Sequence, residues 1–216
     1  MIAALVPVKR LGVGKSRLRP PLDPRASAEL AGAMLEDVIE ALRGVPGLAS
    51  LSVVTGDPAA ARRARAAGAR VVLHPDDGLN PSLDAAAARL AAEGAAALLV
   101  VLGDVAGALP ADLQALLDAL ADLGGRGVVL APSRDGGTSA LLRAPHDVIA
   151  SAFGPQSAAR HRELARAAGV AYRELDLPSL GVDVDSAEDL DAFLRSPGGG
   201  KRTRAALAQL GWRAAP

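Results

Sequence analysis

Eight apolar residues in succession, Ala95 to Leu102, end abruptly on Gly103-Asp104. This step from the most hydrophobic stretch of the chain to a carboxylate constrains what surrounds it. A run of that length, rich in Leu and Val, suits a strand buried on both faces and is far too short to span a membrane. Such strands belong to parallel sheets covered by helices, and the rest of the chain alternates accordingly. Ile2 to Val8, Leu51 to Thr55, Arg70 to Leu73, Gly127 to Ala131, Ser139 to Arg143 and Ala171 to Leu175 read as further strands. Ser27 to Leu42 carries Leu30, Met34, Val38 and Leu42 at helical spacing after a Ser27 cap. Further helices are expected at Pro58 to Ala67, Ser82 to Glu93, Pro110 to about Leu123 and Ser157 to Ala168. Another, Ser186 to Leu194, is capped by Ser186 with Asp189 at its third position. The pattern predicts an α/β fold, a mostly parallel sheet with helices on both faces. We expect one domain over residues 1–196 and a basic C-terminal tail at 197–216, as a short helix or frayed.

Composition narrows the chemistry. The absence of cysteine removes disulfides, thiolate metal sites and cysteine nucleophiles together, so any metal must sit on oxygens or histidines. Lys plus Arg equal Asp plus Glu at 24 each, without the basic excess of a protein that neutralises many backbone phosphates. Phe153, Tyr172, Phe193 and Trp212 are too few aromatics for a base-stacking platform, and nucleic acid is not an expected partner. Met1 leads straight into Ile2-Ala3-Ala4-Leu5-Val6 with no basic region before it, so a cytoplasmic protein without a membrane span is expected. Alanine-rich exposed faces permit a homodimer.

In open α/β sheets, ligands bind beyond the carboxyl ends of the strands, and four such places stand out. Pro7 to Arg19 places Lys9, Arg10, Lys15, Arg17 and Arg19 beside Gly12 and Gly14, which reads as a phosphate grip or a solvated basic loop. It is not a P-loop, because the position five residues before Gly14 is Lys9 and not glycine. Asp104 lies in a dry strand mouth, where a carboxylate must be paired, neutralised or bound to a metal such as magnesium; its other reading is a turn or cap. Asp183-Val184-Asp185, if extended from Gly181, puts two carboxylates on one side, where a shared cation relieves their repulsion. Alternatively, Asp185 caps the next helix. The fourth place combines Pro132 to Thr138 with Phe153 to His161, where Thr138 and Ser157 offer hydroxyls beside backbone amides. His161 reads as a helix-surface histidine.

Taken in order, these residues resemble the guanylyltransferases of coenzyme F420 biosynthesis, relatives of the molybdenum-cofactor guanylyltransferases. The likeness runs from Met1 to about Leu207. It is carried by Pro7-Val8-Lys9 with Gly14-Lys15-Ser16-Arg17-Leu18, then Gly78-Leu79-Asn80, Gly103-Asp104 and Ala131 to Thr138. Phe153-Gly154-Pro155 with Ser157 and His161, and Asp183-Val184-Asp185, complete it. Two departures are visible: Val105-Ala106-Gly107 stand where the family often has Leu-Pro, and Ser139 where it often has Asn.

The resemblance implies a Rossmann-like nucleotidyltransferase that binds GTP and magnesium, as two ions. It implies transfer of GMP to a small phosphorylated acid: 2-phospho-L-lactate, phosphoenolpyruvate or 3-phosphoglycerate. On the matching positions Lys9, Lys15 and Arg17 would hold the triphosphate and Asn80 would lie near the nucleoside. Asp104, Asp183 and Asp185 would hold magnesium, with Lys15 and Asp104 the catalytic pair, and Thr138, Gly154 and Ser157 would seat the acceptor. The inventory is consistent with this, since a phosphate whose second ionisation falls at about 6 is already a nucleophile and needs no Ser-His or Cys-His pair. A related transferase for a sugar phosphate or molybdopterin, and a non-catalytic nucleotide-binding protein, are the alternatives.

Overall fold

Side chains on a strand alternate between faces, and along Ile2–Pro7 (β1) both sets are apolar: Ala4 and Val6 join one core, Ala3 and Leu5 another. The computed structural model, which describes residues 1–11, 22–75, 77–196 and 198–213, builds on this two-sided strand. It continues through Pro24–Arg43 (α1), Leu48–Thr55 (β2), Pro58–Ala66 (α2), Arg70–Leu73 (β3), Leu79–Ala92 (α3) and Ala97–Val101 (β4). Then come Pro110–Asp122 (α4), Gly127–Pro132 (β5), Thr138–Ala144 (β6), Ser157–Ala167 (α5), Tyr172–Glu174 (β7), Ala187–Arg195 (α6) and Lys201–Gln209 (α7).

The seven strands form one sheet in the order β3-β2-β1-β4-β6-β5-β7, and all pair parallel except β6, which runs against both β4 and β5. Leu35, Val38, Ile39 and Leu42 of α1 and the leucines of α4 cover one face against Leu99 and Val101. Leu83 and Leu90 of α3 and Ala165 of α5 cover the other against Leu98 and Val100. Each fully buried leucine contributes roughly 1.5–3 kcal/mol, so the sandwich on β4 is the main source of cohesion. The fold is thus the Rossmann-like, mostly parallel α/β sheet with helices on both faces that the alternation predicts. Among the described residues, no helix is long and apolar enough to cross a membrane.

Local chemistry moves some boundaries. The first helix starts at Pro24 and not at Ser27: Asp23 accepts the Ala26 N–H at 2.8 Å and Pro24 pre-sets the first turn, while Ser27 is buried within the helix. Helix α3 begins at Leu79, three residues before the expected Ser82, since Pro81 is tolerated in a first turn. The segment after Leu180 is not a strand, and α6 opens with the expected Ser186–Asp189 capping box.

Beyond residue 196, α7 packs against α1. Asp37 of α1, only 5% exposed, accepts the N–H groups of Arg202 and Thr203 at 3.1 and 2.8 Å and the Thr203 hydroxyl at 2.7 Å. It caps α7 from a different helix, while Leu207 enters the cluster formed by Leu30, Met34, Val184 and Phe193. Arg204 lies over the Phe193 ring at 4.5 Å and donates to the carbonyls of Phe193, Leu194, Ser196 and Gly199.

Candidate active site

The sheet changes direction at β1, whose neighbours are β2 and β4, and the carboxyl ends of β1 and β4 form the rim where ligands are expected. Gly103 permits their close approach: a Cβ there would stand 3.3 Å from both the Pro7 carbonyl and a Val8 methyl. Since β6 is antiparallel, it starts where β4 ends, and Leu102 N–H donates to Ser139 O at 3.0 Å. Asp104 and Thr138 therefore share one rim.

The acidic pair arrives from the other side of the sequence. Val184 N–H donates to the Asp104 carbonyl at 3.2 Å, tying the two acidic segments backbone to backbone. Asp189 accepts the N–H groups of Asp185 at 3.2 Å and Ser186 at 2.8 Å, so Ser186 and Asp189 make the cap and Asp185 does not. Asp104, Asp183 and Asp185 all line one cleft of ≈ 630 Å³. Burial, then the neighbouring charges of Asp104, Asp135 and Asp185, push the Asp183 carboxyl up to about 6. Asp135, which the sequence presents only as a turn residue, thereby joins this acidic field. It also accepts the Gly137 N–H at 2.9 Å, which fixes the turn before β6. Among the described residues, no three His, Cys, Asp or Glu side chains form a group that could hold a metal ion on their own.

Thr138, Gly154 and Ser157 line the same cleft. The Gly154 backbone has φ +126°, a conformation that side chains other than glycine's resist, and its carbonyl accepts the Ser157 N–H at 3.1 Å. Ala158 N–H donates to Gly136 O at 3.2 Å, joining this loop to the turn before β6. His161 is fully buried and not on the helix surface, with Nδ1 3.0 Å from the Thr138 hydroxyl and Nε2 accepting from Ala152 N–H at 3.0 Å. The Phe153 ring meets its imidazole edge-on at 5.1 Å. Burial first, then the charges of Arg143 and Arg160, lower its pKa to about 4, so it is neutral near pH 7. Asn80 holds the protein backbone: it donates to Phe153 O at 3.1 Å and accepts from Phe153 N at 2.8 Å.

At the end of β1, Lys9 is exposed and borders both the cleft and an adjoining recess of ≈ 230 Å³ lined by Thr55, Asp57, His74 and Gly78. Asp57 caps α2 through Ala59 N–H and also accepts Leu11 N–H at 2.8 Å, which ties Leu11 to the start of α2. Lys15 and Arg17 lie outside the described residues. The departure after Asp104 is filled by packing, since Val105 and Ala106 are buried in the core.

With this geometry, the family model for CofC-like guanylyl transferases matches residues 2–216. The chain belongs to that family. Its relatives include the phosphoenolpyruvate guanylyltransferase of Nocardia farcinica, 41% identical over 98% of this chain and 92% of that one. The protein of the same name from Rubrobacter xylanophilus is 40% identical over 92% of this chain and 95% of its own. A candidate nucleotide-diphospho-sugar transferase from Desulfovibrio desulfuricans shares the fold, with a TM-score of 0.76 at 19% identity over 97% of this chain and 96% of that one. The CofC-like chain is accordingly a nucleotidyltransferase enzyme of the guanylyltransferase kind.

Proposed function

We propose that this CofC-like protein transfers GMP from GTP to the phosphate of phosphoenolpyruvate and releases pyrophosphate, with 2-phospho-L-lactate as the other acceptor to be tried and coenzyme F420 biosynthesis as the setting. The observation that carries the reading is the Val184–Asp104 backbone bond, which brings an acidic pair, a third aspartate and the Thr138 rim to one cleft. The acceptor is supported by relatives at 41% and 40% identity that are named for phosphoenolpyruvate.

The donor set fits magnesium: it is built of carboxylate oxygens, and Asp183 bears like-charge repulsion that a cation offsets. Asp104, Asp183 and Asp185 would hold the ions, which when bound neutralise the triphosphate. Magnesium commonly takes one or two carboxylates and completes its shell with water and phosphate, so a self-sufficient protein cage is not required. Lys9, with Lys15 and Arg17 of the same basic segment of sequence, attracts the triphosphate, and Asn80 acts beside the nucleoside by holding the Phe153 backbone. Thr138, Ser157 and the Gly154 backbone orient the acceptor at the N-terminus of α5, where the helix dipole favours an anion. The acceptor phosphate attacks without a base, so these residues contribute alignment and charge stabilisation.

The test is incubation with GTP, magnesium and, in turn, phosphoenolpyruvate, 2-phospho-L-lactate, 3-phosphoglycerate and a sugar 1-phosphate, with pyrophosphate and product mass measured. Turnover with phosphoenolpyruvate is expected. Release with none of the phospho-acids defeats the proposal.

A further inference from the structure

The fully buried His161 ring sits between a backbone N–H and a pair of hydroxyls, and this order fixes where its proton lies. Ala152 N–H can only donate, so Nε2, 3.0 Å away, must be the unprotonated nitrogen. The ring is neutral, so the hydrogen is on Nδ1 and is donated to the Thr138 hydroxyl at 3.0 Å. Thr138 and Ser157 lie 2.9 Å apart and share one hydrogen bond between two O–H groups. Whichever of them donates to the other, one O–H remains, and among the described residues neither hydroxyl has a further acceptor. Both residues line the cleft.

We propose that His161 is a positioning residue which, by donating to Thr138, makes the Thr138–Ser157 pair a net hydrogen-bond donor toward the cleft and so selects an anionic oxygen of the acceptor. Were the imidazole an acceptor from Thr138, that hydroxyl hydrogen would turn inward and the pair would present lone pairs to an anion. The inference rests on the acceptor reading above and adds to it a residue that does not touch the acceptor. His161 acts only through Thr138.

Asparagine and glutamine separate this role from simple packing, because an Asn side-chain amide reproduces the Nδ1 position and a Gln amide the Nε2 position. His161→Asn keeps the donor to Thr138, and the KM for phosphoenolpyruvate is expected within about threefold of wild type. His161→Gln keeps only the partner of Ala152, and that KM is expected to rise on the order of tenfold or more while the KM for GTP stays unchanged. In the Thr138→Val background, His161→Gln should add nothing further. Rescue by Gln instead of Asn, or additive losses in the double variant, overturns the proposal. Nitrogen-15 spectra of the wild-type imidazole supply a check that needs no variant: a proton on Nε2 overturns it, and one on Nδ1 supports it.

Calorimetric titration of phosphoenolpyruvate into the same proteins keeps the two readings apart. Turnover by wild type with an unchanged acceptor KM in His161→Gln sinks this inference and leaves the function standing. Absence of turnover, with binding weakened by His161→Gln and not by His161→Asn, does the reverse. Wild-type protein that neither binds nor turns over phosphoenolpyruvate removes both.

Discussion

Val184 reaches Asp104 through main-chain atoms, its N–H 3.2 Å from the Asp104 carbonyl. That bond is therefore independent of the Asp104 side chain. Asp104→Asn should keep the fold, with a melting temperature within about 2 °C of wild type, and lose on the order of a hundredfold or more in kcat. The Asp183 carboxyl should also titrate below its present value of about 6, since one of the charges that raise it is gone. Kinetics and carbon-13 titration of the carboxyls check the two parts separately, and near-normal turnover removes Asp104 from the reacting centre.

Asn80 supports Phe153, the residue before Gly154, with both ends of its amide. Asn80→Ala leaves the Phe153 N–H and carbonyl to find other partners, and a loss of about 1–3 kcal/mol in urea unfolding is expected. The KM for the acceptor should rise more than that for GTP. A rise confined to GTP would instead show direct contact with the nucleotide.

Two buried groups give stability opposite pH slopes. The Asp183 pKa is raised from 3.8 to about 6, so its contribution is full below about 4 and lost as pH climbs to 6. The His161 pKa is lowered from 6.5 to about 4, so its contribution is full above 6.5 and lost as pH falls to 4. In the wild type the two offset each other. Asp183→Asn leaves the histidine term exposed, and stability should then increase by about 3 kcal/mol from pH 4 to pH 6.5. Denaturant midpoints at several pH values measure it, and a flat profile in this variant contradicts a neutral buried His161.

Asp37 holds the N-terminus of α7 through two backbone N–H groups and a hydroxyl. Asp37→Ala leaves those donors in a largely buried place, with an expected loss of about 2–4 kcal/mol. Removal of residues 197–216 should destabilise the protein further by exposing Leu30, Met34 and Phe193. A truncated chain as stable as the full one contradicts the packing of α7.

What could be read from the chain was short-range. The run to Leu102 and its terminal Asp104, the Ser186–Asp189 box and the hydroxyls at Thr138 and Ser157 are each signalled within a few residues, by apolar runs or capping chemistry. Reversal of β6 was not legible, because an apolar strand looks alike in either direction. Nor was the burial of His161, since α5 has few apolar residues to mark its inner face. Asp23 prevailed over Ser27 as a cap because proline follows it. Asp37 gave no sign of capping a helix 165 positions away, for such pairing depends on tertiary packing.

The reversed strand also governs inheritance. Since β6 begins beside the end of β4, the place of Thr138 depends on the register of β6 against β4 and β5, and a slip of one residue would turn its side chain to the other face. An insertion in the connection through Ser133 to Gly137 that shifted this register would displace Thr138 from the cleft, so length variation among functional descendants should fall elsewhere on the surface.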